Sequence, residues 1–215
     1  MRVVLASTSP RRRELLALLG ITFEVASPTF EERVIPGWAA SDLVAYFSQR
    51  KAHSVAKANP DAIVLGSDTL IELDGKVLGK PADLCEARLM LRQMAGLEHL
   101  VHTAVTLSCL ARHIETTRLS TARVLMKRFD PEAHERYLAT GDCLGKAGAY
   151  SIQGPGSDLI ELLDGDFTTV VGLPLQLVAA SLEHVGVKVP VSVTTLYVTK
   201  PYGNWARMTS RLQRD

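Results

Sequence analysis

Cysteine is scarce and poorly spaced for structural use. The three present, Cys85, Cys109 and Cys143, are odd in number, far apart and without a C-x-x-C pair, which argues against a disulfide framework or a structural zinc site. They read as ordinary reduced thiols. An excess of charge of one sign is also missing: 24 Lys plus Arg against 23 Asp plus Glu leave a formal charge of +1, far from the basic surplus needed to coat a nucleic acid backbone. Any anion site must be a local cluster. The N-terminal apolar run Val3-Val4-Leu5-Ala6 gives way to polar residues and three arginines, too short for a signal-peptide core. No stretch approaches the ~20 apolar residues of a membrane span. A cytoplasmic protein without a membrane partner is expected. The chain also lacks G-x-x-x-x-G-K-[ST], a G-x-G-x-x-G after a strand, and a G-x-S-x-G elbow. It contains no internal repeat and no low-complexity segment.

What is present is core material, since 47% of the 215 residues are hydrophobic and 22% charged. The length allows one large domain or two intimately packed lobes and is read as one folding unit. Val3 to Ala6 reads as a buried strand, and Ser9 with Pro10 starts a helix that runs to Gly20. A strand is expected over Ile21 to Ala26, then a loop to Gly37 carrying Glu31 and Glu32, then a helix from Ser41 to about Ala58. Ala62 to Gly66 has the pattern of a buried strand that leads through Ser67-Asp68-Thr69 into Leu70 to Leu73 before the Asp74-Gly75 turn, and a hairpin returns through Lys76 to Leu78. Asp83 with Glu86 forms a capping-box variant for a helix to Gly96. His99 to Leu110 and Thr117 to Phe129 read as a strand pair, and Asp130-Pro131 opens another helix. From Lys146 the chain reads as extended, with a hairpin at Asp164-Gly165 and a closing helix from Leu175 to Val185. The class is α/β, with hairpins implying a mixed sheet.

Three arginines, Arg11, Arg12 and Arg13, fall in the first turn of a helix, where the macrodipole disfavours cations. On charge alone their removal would leave stability level or slightly higher. With Ser7 and Ser9 and free N–H groups they form a phosphate or carboxylate receptor, unless they only extend into water. Lys51 interrupts the stripe Leu43, Phe47, Val55 at four-residue spacing. Either its stem snorkels to the surface or its ammonium meets an anion. Asp68, after a buried strand run, is either a turn former or one of two carboxylates, with Glu31 or Glu32, suited to Mg²⁺ or Mn²⁺ bridging to phosphates. Lys80 in Gly79-Lys80-Pro81 and Lys146 sit where backbone can approach a ligand. His99 and His102, three apart on a strand, point to opposite faces and make a poor metal pair.

Leu5 to Leu16, Gly66-Ser67-Asp68-Thr69 with Gly79-Lys80-Pro81, Lys146 to Gly154, and Val171-Gly172-Leu173-Pro174-Leu175 resemble, in order and spacing, the motifs of the Maf family of nucleoside triphosphate pyrophosphatases. The likeness covers about residues 2 to 187. It implies a mixed twisted sheet with flanking helices and two lobes around a cleft, similar to inosine triphosphate pyrophosphatases. It further implies hydrolysis of a nucleoside triphosphate to monophosphate and pyrophosphate, with a divalent metal. By the resemblance, Asp68 matches the family's proton acceptor. Arg11, Thr69 and Gln153 match positions of base specificity, and Ser7, Arg12, Glu32, Lys51 and Lys80 match other cleft residues. Ser67 stands where alanine is commoner, Gly145 where aspartate is frequent, and Pro190 to Asp215 extends past the usual end, so the domain is drawn as 1–189 with an extension, 190–215.

Asp-Thr in the central motif and Lys-Ala-Gly-Ala-Tyr-x-Ile-Gln-Gly later resemble the branch acting on dTTP and UTP rather than the 7-methyl-GTP branch. A 7-methyl-GTP pyrophosphatase is one other reading, and because the family is also linked to septum formation a nucleotide sensor without turnover is a second, which the acid at Asp68 disfavours. Arg11, Arg12, Lys51 and Lys80 would offset the roughly four negative charges of a triphosphate. Asp68 then acts as base, as metal ligand with Glu32, or as both. The expected partner is a nucleoside triphosphate, with a homodimer as an open option and no nucleic acid.

Overall fold

The computed structural model describes residues 1–209. Its strands are β1 (Val3–Ala6), β2 (Glu24–Ala26), β3 (Ile63–Leu73), β4 (Lys76–Leu78), β5 (Glu98–Cys109), β6 (Ile114–Met126) and β7 (Ile160–Asp164). The helices are α1 (Pro10–Leu18), α2 (Ala40–Ala56), α3 (Leu84–Met94), α4 (Pro131–Ala139), α5 (Phe167–Val171), α6 (Leu175–His184), α7 (Val193–Thr199) and α8 (Gly203–Thr209). The strands form a seven-stranded mixed sheet in the order β2-β1-β3-β5-β6-β7, with β4 paired to β3. β1 is parallel to β2 and β3, whereas β3–β4 and β6–β7 are antiparallel. This is the mixed α/β class with flanking helices that alternating strand and helix signals require.

The chain forms two compact units. The first comprises Met1–Thr69, Thr103–Ser120 and Gly172–Thr199. Its β1 is buried at every position, because a strand flanked in parallel on both sides is covered on both faces and takes a continuous apolar run. Helix α2 buries Leu43, Val44, Phe47, Ser48, Lys51, Ala52 and Val55, the three- and four-residue spacing of a single face. Gly66 brings that face onto β3: a Cβ there would lie 2.5 Å from the Ser48 carbonyl oxygen and 2.7 Å from the Ala52 nitrogen. Only the missing side chain permits this approach.

The second unit comprises Leu70–His102, Thr121–Val171 and the chain from Lys200. Asp83 caps α3, its Oδ1 accepting from the Glu86 N–H at 2.8 Å, and Glu86 reaches back to the Ala82 N–H at 2.7 Å. Asp130 caps α4 by accepting from the Glu132 and Ala133 N–H groups.

Several boundaries differ from the sequence reading. Asp68 does not follow a strand but lies inside β3, which runs unbroken through Ser67-Asp68-Thr69. That removes the turn-forming alternative. The strand expected over Ile21 to Ala26 shortens to Glu24–Ala26, and Ser9 stands at the N-cap of α1 without a capping side-chain bond. The segment after Lys146 is not continuously extended: it carries short 3-10 turns at Ala147–Ala149 and Pro155–Leu159, and the first is interrupted by positive φ at Gly148 and Ala149. Asp164-Gly165 makes no hairpin. Asp166 instead accepts from the Thr168 and Thr169 N–H groups and starts α5 where a return strand was expected.

Candidate functional site

The first unit gathers Ser7, Arg11, Arg12, Glu32, Lys51, Asp68 and Thr69. Register explains part of this. Ala6 of β1 pairs with Gly66 of β3, so Ser7 leaves its strand beside the stretch that carries Asp68, and α1 begins three residues later. Ser7 is buried and its Oγ accepts from the Ser9 N–H at 3.1 Å, turning the chain into α1.

Alternation along β3 then distributes the chemistry. Gly66 and Asp68 face α2, where the Lys51 Nζ donates to Asp68 Oδ1 and also pairs with Glu32 Oε1. Lys51 is therefore not a snorkelling lysine: its side chain is 8% exposed, and that of Asp68 4%. Glu32 reaches this ammonium from the loop between β2 and α2, while Glu31 pairs outward with Arg33 at 2.9 Å. The choice between the two glutamates falls on Glu32.

Ser67 and Thr69 face the other way. The Ser67 hydroxyl donates to the Gly172 carbonyl at 3.0 Å, and Thr69 Oγ1 lies 2.9 Å from the Thr103 hydroxyl. Arg12 joins them, its Nε donating to the Gly172 carbonyl at 2.9 Å and its Nη2 to Thr69 Oγ1 at 3.1 Å. The arginine run is thus not uniformly solvated: Arg12 and Arg11 are half-buried, and Arg13 is exposed.

Burial sets the electrostatics. Desolvation raises the Asp68 pKa, opposed by the charges of Lys51 and Arg12 and aided by that of Glu32. Desolvation also lowers the Arg12 pKa, against the attraction of Asp68 and Glu32. Asp68 Oδ2 is buried and makes no hydrogen bond among the described residues. A carboxylate of raised basicity with one uncommitted oxygen can accept a proton or ligate a hard cation. The described residues contain no group of three His, Cys, Asp or Glu that could hold a metal by itself. Asp68 and Glu32 are the two carboxylates here that could hold a hard cation.

Lys80 and Gln153 lie in the second unit, Lys80 exposed and Gln153 half-buried. His99 and His102 serve separate partners there, as their spacing implied: His99 Nε2 meets the Tyr150 hydroxyl at 2.8 Å, and His102 Nδ1 meets Thr121 Oγ1 at 2.9 Å. Sequence reasoning missed three contributors, Gly66, Thr103 and Gly172. Of these, Gly66 and Gly172 left a trace, both standing in the motifs that carry the family resemblance, and Gly66 also closes an otherwise apolar strand run.

The chain is 43% identical over 187 residues to the dTTP/UTP pyrophosphatase of Pelotomaculum thermopropionicum, covering 87% of this chain and 98% of the relative. It is 42% identical over 194 residues to the dTTP/UTP pyrophosphatase of Anaeromyxobacter dehalogenans, covering 88% and 96%. Among solved structures, the Staphylococcus aureus Ham1 protein aligns at 13% identity and a TM-score of 0.45, over 99% of this chain and 96% of that one. Residues 2–185 match the family described as Maf-like protein, and the chain belongs to that family.

Proposed function

We propose that this protein is a nucleoside triphosphate pyrophosphatase acting on dTTP and UTP, the activity named for relatives that share about 40% of its residues over most of its length. The observation that carries the mechanism is the buried carboxylate of Asp68, held by Lys51 and raised in basicity by desolvation. A water molecule attacks the α-phosphorus, Asp68 takes its proton, the bond from the α-phosphorus to the α–β bridging oxygen breaks, and pyrophosphate leaves. Arg12 and Lys51 stabilise the negative charge that develops, and catalysis is mostly positioning and electrostatics. Asp68 and Glu32 would hold a divalent cation, Mg²⁺ or Mn²⁺, which when bound neutralises charge on the phosphate oxygens.

Arg11 and Ser7 extend the anion receptor in this reading, and the resemblance to the family assigns Lys80 to substrate binding. Gln153 reads the base: a carboxamide has a donor beside an acceptor and matches the O4 and N3–H edge shared by thymine and uracil. The location is the cytoplasm, and the partner is a nucleotide rather than a nucleic acid. Incubation with Mg²⁺ or Mn²⁺ and dTTP, UTP, CTP and 7-methyl-GTP tests the proposal. Monophosphate and pyrophosphate from dTTP and UTP are expected. Orthophosphate with a diphosphate, preference for 7-methyl-GTP, or no turnover would overturn it.

A further inference from the structure

The family match ends at residue 185, yet the chain beyond it is built into the fold. Trp205 on α8 is 1% exposed and stacks on Phe167 of α5, with ring centroids 5.4 Å apart and planes 6° from parallel. Such a contact anchors the segment by burying a large aromatic surface. On the same helix, the Asn204 carboxamide donates to the carbonyl of Gln153 at 2.9 Å and to that of Gly154 at 3.3 Å. One turn on, the Arg207 guanidinium donates to Asp158 Oδ1 at 2.8 Å and to the Ser157 hydroxyl. Residues 204 and 207 therefore grip both ends of the short stretch 153–158, and residue 205 fixes the helix from which they do so.

Gly154 is confined from a second direction, because a Cβ there would lie 2.9 Å from Asp142 Oδ2. Asp142 in turn is the partner of Lys146. A carbonyl held by a side-chain donor fixes the peptide plane and with it the ψ angle of its residue. Holding the Gln153 carbonyl thus sets the direction in which its side chain leaves the backbone.

We propose that the C-terminal segment is a clasp on the base-reading segment, with Asn204 as a positioning residue for Gln153. The inference rests on the assignment of Gln153 as the base reader. A purely structural extension would support stability without touching substrate choice.

Asn204→Asp separates the two, since it keeps shape while replacing the two-donor amide with an acceptor facing two carbonyls. In the full-length protein, the preference for dTTP over CTP in kcat/KM should fall about fivefold, through KM, with kcat within twofold. Backbone amides of residues 150–159 should exchange with deuterium at least about fivefold faster. In a Gln153→Ala background, Asn204→Asp should change the substrate ranking no further, because the two act through one element. Unchanged exchange overturns the clasp, and so does an unchanged ranking where Gln153→Ala alters it. If Gln153→Ala itself leaves the ranking unchanged, the base assignment is wrong. The exchange rates then decide the clasp alone, acceleration upholding it and constancy overturning it.

Discussion

Replacing Lys51 with methionine keeps most of the buried stem and removes one charge from between two carboxylates. Lys51 and Asp68 are almost fully enclosed, whereas the Glu32 side chain is 34% exposed and its share is screened by solvent. Breaking a buried pair by deleting one partner costs about 3 to 5 kcal/mol, because the other charge is left uncompensated. Asp68 has a way out. Its pKa is already raised by burial and is held down chiefly by Lys51, so in the variant it climbs further and the carboxylate takes up a proton. The sign of the pH dependence follows. A group whose folded pKa lies above its unfolded value stabilises fully below the unfolded value, near 4 for an aspartate, and this is lost as pH rises through the folded value. The deficit of Lys51→Met relative to wild type should therefore be smaller at a mildly acidic than at a mildly alkaline pH, growing toward about 3 to 5 kcal/mol as pH rises. Urea denaturation at the two pH values measures it. A deficit equal at both, or below about 1 kcal/mol at the higher pH, would refute the view that Lys51 is the counter-ion of a buried Asp68.

Asp68→Asn should lower kcat by roughly two orders of magnitude or more while the protein stays folded by circular dichroism, because it deletes the base and a charged ligand yet keeps shape. Gly66→Ala should cost roughly 3 kcal/mol or more in denaturant melts, since its Cβ would meet backbone atoms of α2 that cannot rotate away. Arg12→Ala was expected from helix-dipole considerations to leave stability level or higher. With its guanidinium donating to the Gly172 carbonyl and Thr69, stability should instead fall by about 1 to 3 kcal/mol alongside weaker triphosphate binding, as read by thermal shift and KM. Burial lowers the His99 pKa to about 4. On acidification the unfolded chain binds a proton that the native state refuses, so stability present above about pH 6.5 is lost towards pH 4, by on the order of 3 kcal/mol. His99→Phe should flatten that limb of the stability–pH curve.

The fold was legible where the signal is local. The apolar run of β1, the four-residue stripe of α2, and the caps Asp83 and Asp130 all do in the structure what their spacing announces. The failures have two sources, a local cap that competes with a turn signal and a contact distant in sequence. Asp164-Gly165 carries a hairpin doublet, but Asp166 and the two threonines after it divert the chain into α5. Gly148 turns left-handed in a place where a Cβ would lie 2.8 Å from Ile71, a contact invisible in the window around residue 148. The site divides in the same way. Lys51 was readable as a cation interrupting an apolar face, and Asp68 as an acid in a buried run. The contact made by Gly172 was not, because what it supplies is a backbone carbonyl, 105 residues from the Ser67 hydroxyl that donates to it.

Asp68 and Thr69 are adjacent in sequence and opposed in space, and this opposition separates their roles. The resemblance to the family associates Thr69 with the choice of base. Its hydroxyl, however, accepts from Arg12 and contacts Thr103, while the neighbouring Ser67 holds the same Gly172 carbonyl that Arg12 binds. These bonds tie β3 to α1, to β5 and to the turn before α6 on the face away from Lys51. A strand so braced cannot twist or slide without breaking several of them, and the carboxylate on its other face inherits that rigidity. Positioning within about half an ångström is what proton abstraction requires. In the proposed mechanism the hydroxyls of Ser67 and Thr69 would act through the place they give Asp68, and an acid in the middle of a braced strand, rather than on a loop, is suited to the part of a base.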